Sequence, residues 1–176
     1  MDPIQIARKI KEQFPEEVLD TTQFRDQTSV IVKKGRIVDL CRYLHDEPDL
    51  YFDYLADLCG VDYPDRLPRF EIVYNLYSIK HRHRIRLKAG VPEEDLNIDS
   101  VIPVWTGANW HERETYDMYG IQFKGHPDLR RILLPEDWNG YPLRKDYPLR
   151  GPEKEYKPFE ELKDLHRHDD EWIIKS

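Results

Sequence analysis

The stretch ERETYDMYGI, residues 112 to 121, carries four charged side chains within six positions: Glu112, Arg113, Glu114 and Asp117. Grouped carboxylates are what a general acid/base catalyst or a metal site needs. The same charges could instead form ion pairs that hold a chain segment or a partner protein in place. The first question is therefore whether this stretch is an active site or a structural latch.

Helical spacing brings these charges together. On a helix from residue 108 to 119, Arg113 and Asp117 are neighbours at i and i+4, and Glu114 and Asp117 at i and i+3. An acid/base pair also needs a nucleophile, an activated water or a histidine, and the sequence offers no HExxH, GxSxG, GxGxxG, phosphate-binding loop or CxxC. We therefore expect Arg113 to form ion pairs in a latch or interface. Catalysis by Glu114 and Asp117 is the alternative.

A proline-rich segment follows this helix. Its six prolines exclude a long helix, while its Leu, Ile, Trp and Tyr content is too high for a disordered linker. Such a segment is typical of an arm that lies on a partner protein, and we predict it over residues 123–176. Further interface or latch candidates lie here: His126, Arg130, Arg131, Arg144, Lys145 and Asp146.

Metal binding has little support in the sequence. The HRHDD run, residues 166–170, holds two histidines and two aspartates, but nothing nearby would fix their geometry, and a solvated tail is expected. Cys41 and Cys59 lie 18 residues apart without a CxxC motif, so we expect free thiols in buried positions. The sequence predicts neither a catalytic nor a metal-binding nor a cofactor-binding residue.

Two alternating segments, residues 69–79 and 81–89, predict an antiparallel hairpin. A period of two in the second segment puts Arg82, Arg84, Arg86 and Lys88 on one face. This row is either a solvated face or a docking surface for an acidic protein. Nucleic acid is disfavoured, because no stacking aromatics alternate with the cations.

The remaining periodicities complete the expected architecture. Helices are predicted over residues 3–14, 36–47 and 108–119, the last ending at Gly120, and strands over 28–33 and 51–63. Trp110 and Met118 should face inward from the third helix. We predict an α+β fold with a small mixed or antiparallel sheet, a few helices and an extended arm. The domain should span residues 1–122, with a core at 28–122 and an N-terminal helical segment at 1–27.

Bulk composition restricts the class of protein. The chain has 176 residues and a formal charge of −7, from 27 Lys and Arg against 34 Asp and Glu. That charge opposes binding to nucleic acid or anionic lipid over most of the surface. No apolar stretch approaches the roughly 20 residues of a membrane span, and no signal peptide is apparent, so we expect no direct membrane insertion.

Residues 108–149, ANWHERETYDMYGIQFKGHPDLRRILLPEDWNGYPLRKDYPL, resemble the signature of the 30 kDa subunit of respiratory complex I. In bacterial NADH-quinone oxidoreductase the same family is the C-type subunit. The family pattern is E-R-E, two residues, D, an apolar pair, G, then H-P, L-R-R-I-L and P-x-R-K-D-[FY]. Upstream, LCGVDYPDRLPRFEIVYNLYS is similar to the central sheet of the family, so the resemblance covers about residues 28–150.

The resemblance implies a non-redox structural and assembly subunit in the peripheral arm of a proton-translocating NADH-quinone oxidoreductase. It further implies that the arm embraces the 49 kDa-type subunit, near neighbouring iron-sulfur subunits. FMN, iron-sulfur clusters and quinone would then belong to partner subunits, with no cofactor in this chain. The expected location is the cytoplasmic side of the inner membrane, as a peripheral protein.

The resemblance leaves the electron donor open. Related complexes take electrons from NADH, from F420H2 or from ferredoxin, and membrane-bound hydrogenases contain a similar module. The donor site in all of them lies in other subunits.

Overall fold

The computed structural model describes residues 1–149. Three α-helices lie within this range: α1 (Pro3–Gln13), α2 (Ile37–Asp46) and α3 (Ala108–Tyr119). The strands of the same range are β1 (Val18–Phe24), β2 (Gln27–Val32), β3 (Tyr54–Asp62), β4 (Phe70–Ser78), β5 (His83–Val91), β6 (Asn97–Asp99) and β7 (Gln122–Lys124).

Five strands form the main sheet, in the order β1-β2-β5-β4-β3. β2 runs parallel to β5, and the other neighbouring pairs are antiparallel. β6 and β7 form a separate parallel pair that flanks α3 in the sequence. The predicted α+β fold with a mixed sheet is confirmed.

The three helices begin and end close to the predicted residues. Asp2 and Gln5 form a capping box at the start of α1, and Pro3 occupies its first turn, where a missing N–H costs nothing. α3 ends at Gly120, whose φ of 77° is a left-handed conformation that favours glycine. Trp110 is an exception to the prediction for α3, because its side chain is 61% exposed rather than packed inward.

The segment 1–27 is only partly helical, which corrects the sequence prediction. After α1 it forms β1, an edge strand whose residues are exposed apart from Val18. Arg25 and Asp26 connect β1 to β2 with φ values of 48° and 61°, as a two-residue hairpin turn of type I′ requires. The strand escaped prediction because apolar and polar residues do not alternate along it and the turn lacks the glycine that usually marks it.

The core lies between one face of the sheet and the helices. Ile6 and Ile10 of α1, Leu40 and Leu44 of α2 and Ile72 of β4 are all fully or almost fully buried in it. α3 packs on the same face, because a Cβ at Gly60, the cross-strand partner of Ile72, would lie 2.7 Å from a ring carbon of Tyr119. The opposite face of the sheet, called the open face below, carries mostly polar and aromatic side chains.

The predicted hairpin is confirmed as β4 and β5. His83, Ile85 and Leu87 are buried and Arg84 is exposed, as the period of two requires. Arg82 departs from the predicted row, because it lies in the connecting turn with a φ of 53°.

The chain crosses the predicted domain boundary as a strand. β7 continues to Lys124 and pairs with β6, so the segment after residue 122 still belongs to the folded domain. The name "arm" is used below for the residues after Lys124. The predicted arm extends to residue 176. The part of it beyond residue 149 lies outside the described residues.

Candidate functional site

Asp117 is the centre of the charged cluster on α3. Its side chain is fully buried, and its Oδ2 accepts hydrogen bonds from the consecutive backbone amides of Ile132, Leu133 and Leu134, at 3.1, 2.8 and 2.9 Å. Its Oδ1 accepts a fourth bond, of 2.6 Å, from Nη1 of Arg131. Successive amides that point at one oxygen form an anion-binding concavity, and here the anion is a side chain of the same protein. The arm is thus fixed to α3 by a buried carboxylate.

Burial of Asp117 acts to raise its pKa, but the amide donors and the Arg131 guanidinium outweigh it and the net pKa is lowered. The group therefore stays ionised at neutral pH. Since its oxygens are already engaged by donors of the arm, it is poorly placed to exchange protons with a substrate.

Arg131 joins three parts of the arm. Besides its bond to Asp117, its Nη2 donates to the carbonyl oxygens of Trp138 and Gly140, at 3.0 and 3.1 Å. The guanidinium carbon lies 5.3 Å from the ring centroid of Tyr141. A planar guanidinium with several donors suits such convergent contacts, and it ties residues 138–141 to Asp117 of α3.

Arg113 contacts the arm through carbonyl oxygens rather than carboxylates. Its Nε and Nη2 donate to the carbonyl oxygens of Arg130 and Arg131, both at 3.1 Å, and its guanidinium stacks 5.2 Å from the Trp110 ring centroid. The prediction that Arg113 forms ion pairs is wrong, because Arg113 forms none within the part of the chain that the structure describes. The reason is that Glu112 and Asp117 point into the protein, where other donors bind them.

We expect Arg113→Ala to lower the free energy of unfolding by about 1 kcal/mol, because two partly exposed hydrogen bonds to the arm are lost. Chemical denaturation followed by tryptophan fluorescence measures this change. Arg130→Ala is the matched control, since its exposed ion pair with Asp128 contributes at most about 0.5 kcal/mol. Equal losses in the two variants would contradict a special role for Arg113.

Glu112 lies on the side of α3 that faces the core. Its Oε2 accepts a 2.7 Å bond from the Ser100 hydroxyl, and its Oε1 accepts a 2.8 Å bond from the amide of Val101. Burial raises the pKa of this carboxyl to about 7, although both hydrogen bonds act to lower it. Within the described residues no cation contacts it. Glu112 therefore fastens α3 to the loop after β6.

Glu114 differs from both of its acidic neighbours. Its side chain is exposed, and among the described residues it forms neither a hydrogen bond nor an ion pair. An acid/base pair would need both Glu114 and Asp117 to exchange protons with a substrate. Glu114 is free to do so, but the oxygens of Asp117 already accept hydrogen bonds from the arm. The geometry therefore favours the latch over catalysis.

The end of α3 forms a second attachment of the arm. Arg144 donates from Nε to the carbonyl oxygen of Tyr119 at 2.7 Å, and its guanidinium lies 5.2 Å from the Phe70 centroid and 4.8 Å from the Tyr141 centroid. Gly120 permits this arrangement, because a Cβ there would lie 2.6 Å from Tyr141. The glycine thus serves both the helix end and the close approach of the arm.

A third attachment involves Asp62 and Arg69, which sequence reasoning missed. Arg69 donates to both carboxylate oxygens of Asp62, at 2.8 and 2.9 Å, and forms an ion pair with Asp146 at 3.0 Å. The amide of Lys145 donates to Asp62 at 2.7 Å, so Lys145 contributes its main chain. The hydrogen bond from Arg69 and the other donors lower the pKa of Asp62. One signal in the sequence could have revealed this pair. Asp62 lies at the end of the predicted strand 51–63, and Arg69, of opposite charge, begins the next predicted strand at residue 69.

His126 holds the beginning of the arm. Its Nε2 lies 3.2 Å from the carbonyl oxygen of Asn109, and its Nδ1 accepts a 3.0 Å bond from the amide of Asp128. These partners fit a ring that carries a hydrogen on Nε2. The arm is thus attached to the domain around Asp117, at the end of α3, at the Asp62–Arg69 pair and through His126. These contacts together are called the arm latch, and its side chains are His126, Arg113, Asp117, Arg131, Arg144, Asp62, Arg69 and Asp146.

The described residues contain no cluster of three or more His, Cys, Asp or Glu that could hold a metal ion. The HRHDD run at 166–170 lies outside those residues. Cys41 is a buried free thiol as predicted, while Cys59 is only half-buried, and burial raises the pKa of both. None of the helices in residues 1–149 is long and apolar enough to cross a bilayer.

Comparison with known proteins links this geometry to a family. The family model described as "Respiratory-chain NADH dehydrogenase, 30 Kd subunit" matches residues 30–153. A protein of Geobacter sulfurreducens, named as the C-type subunit of NADH-quinone oxidoreductase, is 52% identical over 148 residues, which are 84% of this chain and 90% of the relative. A protein of Roseiflexus sp. with the same name is 50% identical over 153 residues, 87% of this chain and 88% of the relative.

Two solved structures are similar to the chain. A trypsin-resistant fragment of Nqo5, residues 1–134, has a TM-score of 0.61 and 29% identity, and the match covers 73% of this chain and 100% of the fragment. A chain of the archaeal membrane-bound sulfane sulfur reductase has a TM-score of 0.69 over 83% of this chain and 85% of that chain. Its sequence identity is 22%, so this likeness shows the fold alone.

Proposed function

Because this chain belongs to the family of the 30 kDa subunit of respiratory-chain NADH dehydrogenase, we propose that it is a structural and assembly subunit of a proton-translocating NADH-quinone oxidoreductase. In this role it contributes shape and contact surface to the peripheral arm of the complex. Oxidation of NADH, reduction of quinone and proton pumping belong to the whole assembly, whose FMN, iron-sulfur clusters and quinone are held by partner subunits.

The match of the family model across residues 30–153 carries this proposal, because it includes β3, β4, β5, α3 and the described arm. The arm latch supports it further. Asp117 and Glu112, the buried carboxyls that could have indicated catalysis, are engaged by donors of the chain itself. The buried carboxyl groups of α3 thus hold the arm and the loop after β6 in place.

The arm is the surface proposed to bind the 49 kDa-type subunit. While its polar groups are fixed to the domain, its apolar side chains remain outside, with Leu133 63% exposed and Leu143 48% exposed. Trp138, Pro142 and Tyr147 line an open groove along the arm together with Leu143. Exposed apolar groups next to a preformed groove favour burial by a partner. The chain would thereby be held peripherally on the cytoplasmic side of the membrane.

The equivalent subunit of a related membrane complex is the second candidate. The fold shared with a chain of an archaeal respiratory membrane complex supports it. F420H2, ferredoxin or a hydrogenase reaction would then supply the electrons. Purification of the intact complex, followed by identification of its subunits and assay with each donor, distinguishes the two candidates.

We expect Arg144→Ala to lower the amount of assembled complex in membranes several-fold. The reason is that Arg144 fixes the arm to the end of α3 through the Tyr119 carbonyl and to β4 through the Phe70 ring. Native gel electrophoresis measures assembly, and NADH:quinone activity divided by the amount of complex measures turnover. Turnover per assembled complex should stay close to that of the unmodified protein.

Arg42→Ala is the matched control, because Arg42 is an exposed arginine of α2 far along the chain from the arm. It should leave assembly unchanged. Normal assembly of the Arg144 variant with lost turnover would instead indicate that this protein takes a direct part in catalysis. A soluble monomer whose hydrolytic activity is abolished by Glu114→Gln would support the alternative from the sequence, a stand-alone carboxylate-based enzyme that uses Glu114 and Asp117.

A further inference from the structure

The open face of the sheet carries one row of side chains that crosses all five strands. Pairing aligns Phe24 with Gln27, Arg84 with Tyr77, and Tyr77 with Tyr54. Gln27 and Arg84 align because each lies two residues before the parallel pair Ser29 and Arg86. Directly opposed residues point to the same face of a sheet. The row therefore reads Phe24, Gln27, Arg84, Tyr77 and Tyr54 from one edge to the other.

A groove of about 430 Å³ lies along this row. Its lining includes Gln27, Arg84, Arg86, Tyr54 and Tyr77. It spans β2 to β3, three inter-strand spacings, which is about 14 Å. That width corresponds to roughly four residues of an extended peptide laid across the strands.

The cations of the groove have no carboxylate partner within residues 1–149. Arg84 is exposed and forms neither a hydrogen bond nor an ion pair there. Arg86 is held in place by neutral groups, donating to Oδ1 of Asn75 at 2.8 Å and to Oε1 of Gln27 at 2.6 Å. By contrast, the next cation on β5, Lys88, is neutralised by Glu71 at 2.9 Å.

Asp57 is the acidic group on the open face next to the groove. It is the cross-strand partner of Asn75, whose amide donates to it at 3.3 Å. His111 approaches its other oxygen at 3.7 Å. The two arginines thus form a local positive site on a chain whose formal charge is −7.

Aromatic side chains border the same site. Phe24 is 71% exposed and Tyr54 is 51% exposed, at opposite edges of the sheet, while Tyr77 is half-buried beside Arg84. Tyrosine and arginine are the residues most enriched at the energetically important centres of protein interfaces. Isolated exposed aromatics are common on surfaces, but these share one row with Arg84, and Arg86 lies in the next row of the same face.

We propose that this groove binds a short acidic segment of a partner protein. Aspartate or glutamate side chains of the segment accept hydrogen bonds from Arg84 and Arg86, and its aromatic or apolar side chains pack on Tyr54 and Tyr77. Charge complementarity selects the partner, because an acidic segment is repelled elsewhere by the negative surface of this chain. A nucleic acid is disfavoured, because the two arginines can neutralise only about two phosphates. The surface lies on a different face from the core helices, and the inference goes beyond the proposed function.

Fluorescence anisotropy of the full chain tests the proposal, with a labelled random copolymer of glutamate and tyrosine as the probe. Arg84→Glu should weaken binding at least about tenfold, as expected when a charge-assisted hydrogen bond is replaced by repulsion. Arg42→Glu is the matched control, since it makes the same charge change on α2 and should alter binding by less than about twofold. Tyr54→Ala should weaken binding of this copolymer more than binding of poly-glutamate.

Equal weakening by Arg84→Glu and Arg42→Glu would overturn the proposal, because it would show only general attraction. Tighter binding of single-stranded poly(U) than of the copolymer, lost in Arg84→Glu, would assign the groove to nucleic acid and also overturn it. Arg84→Gln guards against unfolding of the charge-reversed variant. With an unchanged melting temperature, it should still show weaker binding than the unmodified chain.

Discussion

Replacement of Asp117 by alanine is expected to lower the free energy of unfolding by about 3–5 kcal/mol, the cost of removing one partner of a buried ion pair. Arg131 would lose its counter-ion, and the amides of Ile132, Leu133 and Leu134 would lose their common acceptor. Each buried donor left without an acceptor adds to the cost. The arm should therefore detach from α3 before the sheet unfolds.

Two measurements follow this detachment. Chemical denaturation gives the change in free energy, and limited trypsin digestion should cleave after Arg130 and Arg131 much faster than in the unmodified chain. Glu114→Ala is the matched control, because it removes an exposed carboxylate from the same helix and should change stability by less than about 0.5 kcal/mol. Similar stability of the two variants would show that the contacts of Asp117 contribute little.

Glu112→Gln is expected to change how stability depends on pH. The folded protein holds the pKa of Glu112 at about 7, above its ordinary value of 4.5. A raised carboxyl pKa means that the folded state binds the proton more tightly than the unfolded state. The stabilisation is complete below pH 4.5 and is lost as the pH rises through 7. The free energy of unfolding contributed by this group at low pH exceeds that at high pH by roughly 3 kcal/mol at most.

The glutamine variant stays neutral, so it should gain stability relative to the unmodified protein by up to roughly 3 kcal/mol between pH 4.5 and pH 8. Cys41 and Tyr74 lie near Glu112, but burial raises the pKa of both, away from this window. Thermal or chemical denaturation across the pH range measures the difference between the two proteins. Glu114→Gln is the control, and its difference curve should be flat. A flat curve for Glu112→Gln would contradict the raised pKa.

The sequence by itself determined the regular elements with strong periodicity. α3 spans the predicted residues and ends at Gly120, because a helix terminus depends on neighbours within one turn. β4 and β5 were equally readable, since alternation identifies each strand and the side chains that it buries. The family too was recognisable from the residues of α3 and the arm, and the family model confirms it.

The tertiary structure alone decided what each charged residue contacts. Glu112 and Asp117 are both acidic residues buried on one helix, yet the pKa of one is raised and that of the other lowered. Glu112 meets a hydroxyl and a single amide from the loop after β6, whereas Asp117 meets three amides and a guanidinium from the arm. Their donors come from residues 11 to 17 positions away. Spacing along one helix carries no information about such donors, because only the folded backbone brings them within hydrogen-bonding distance.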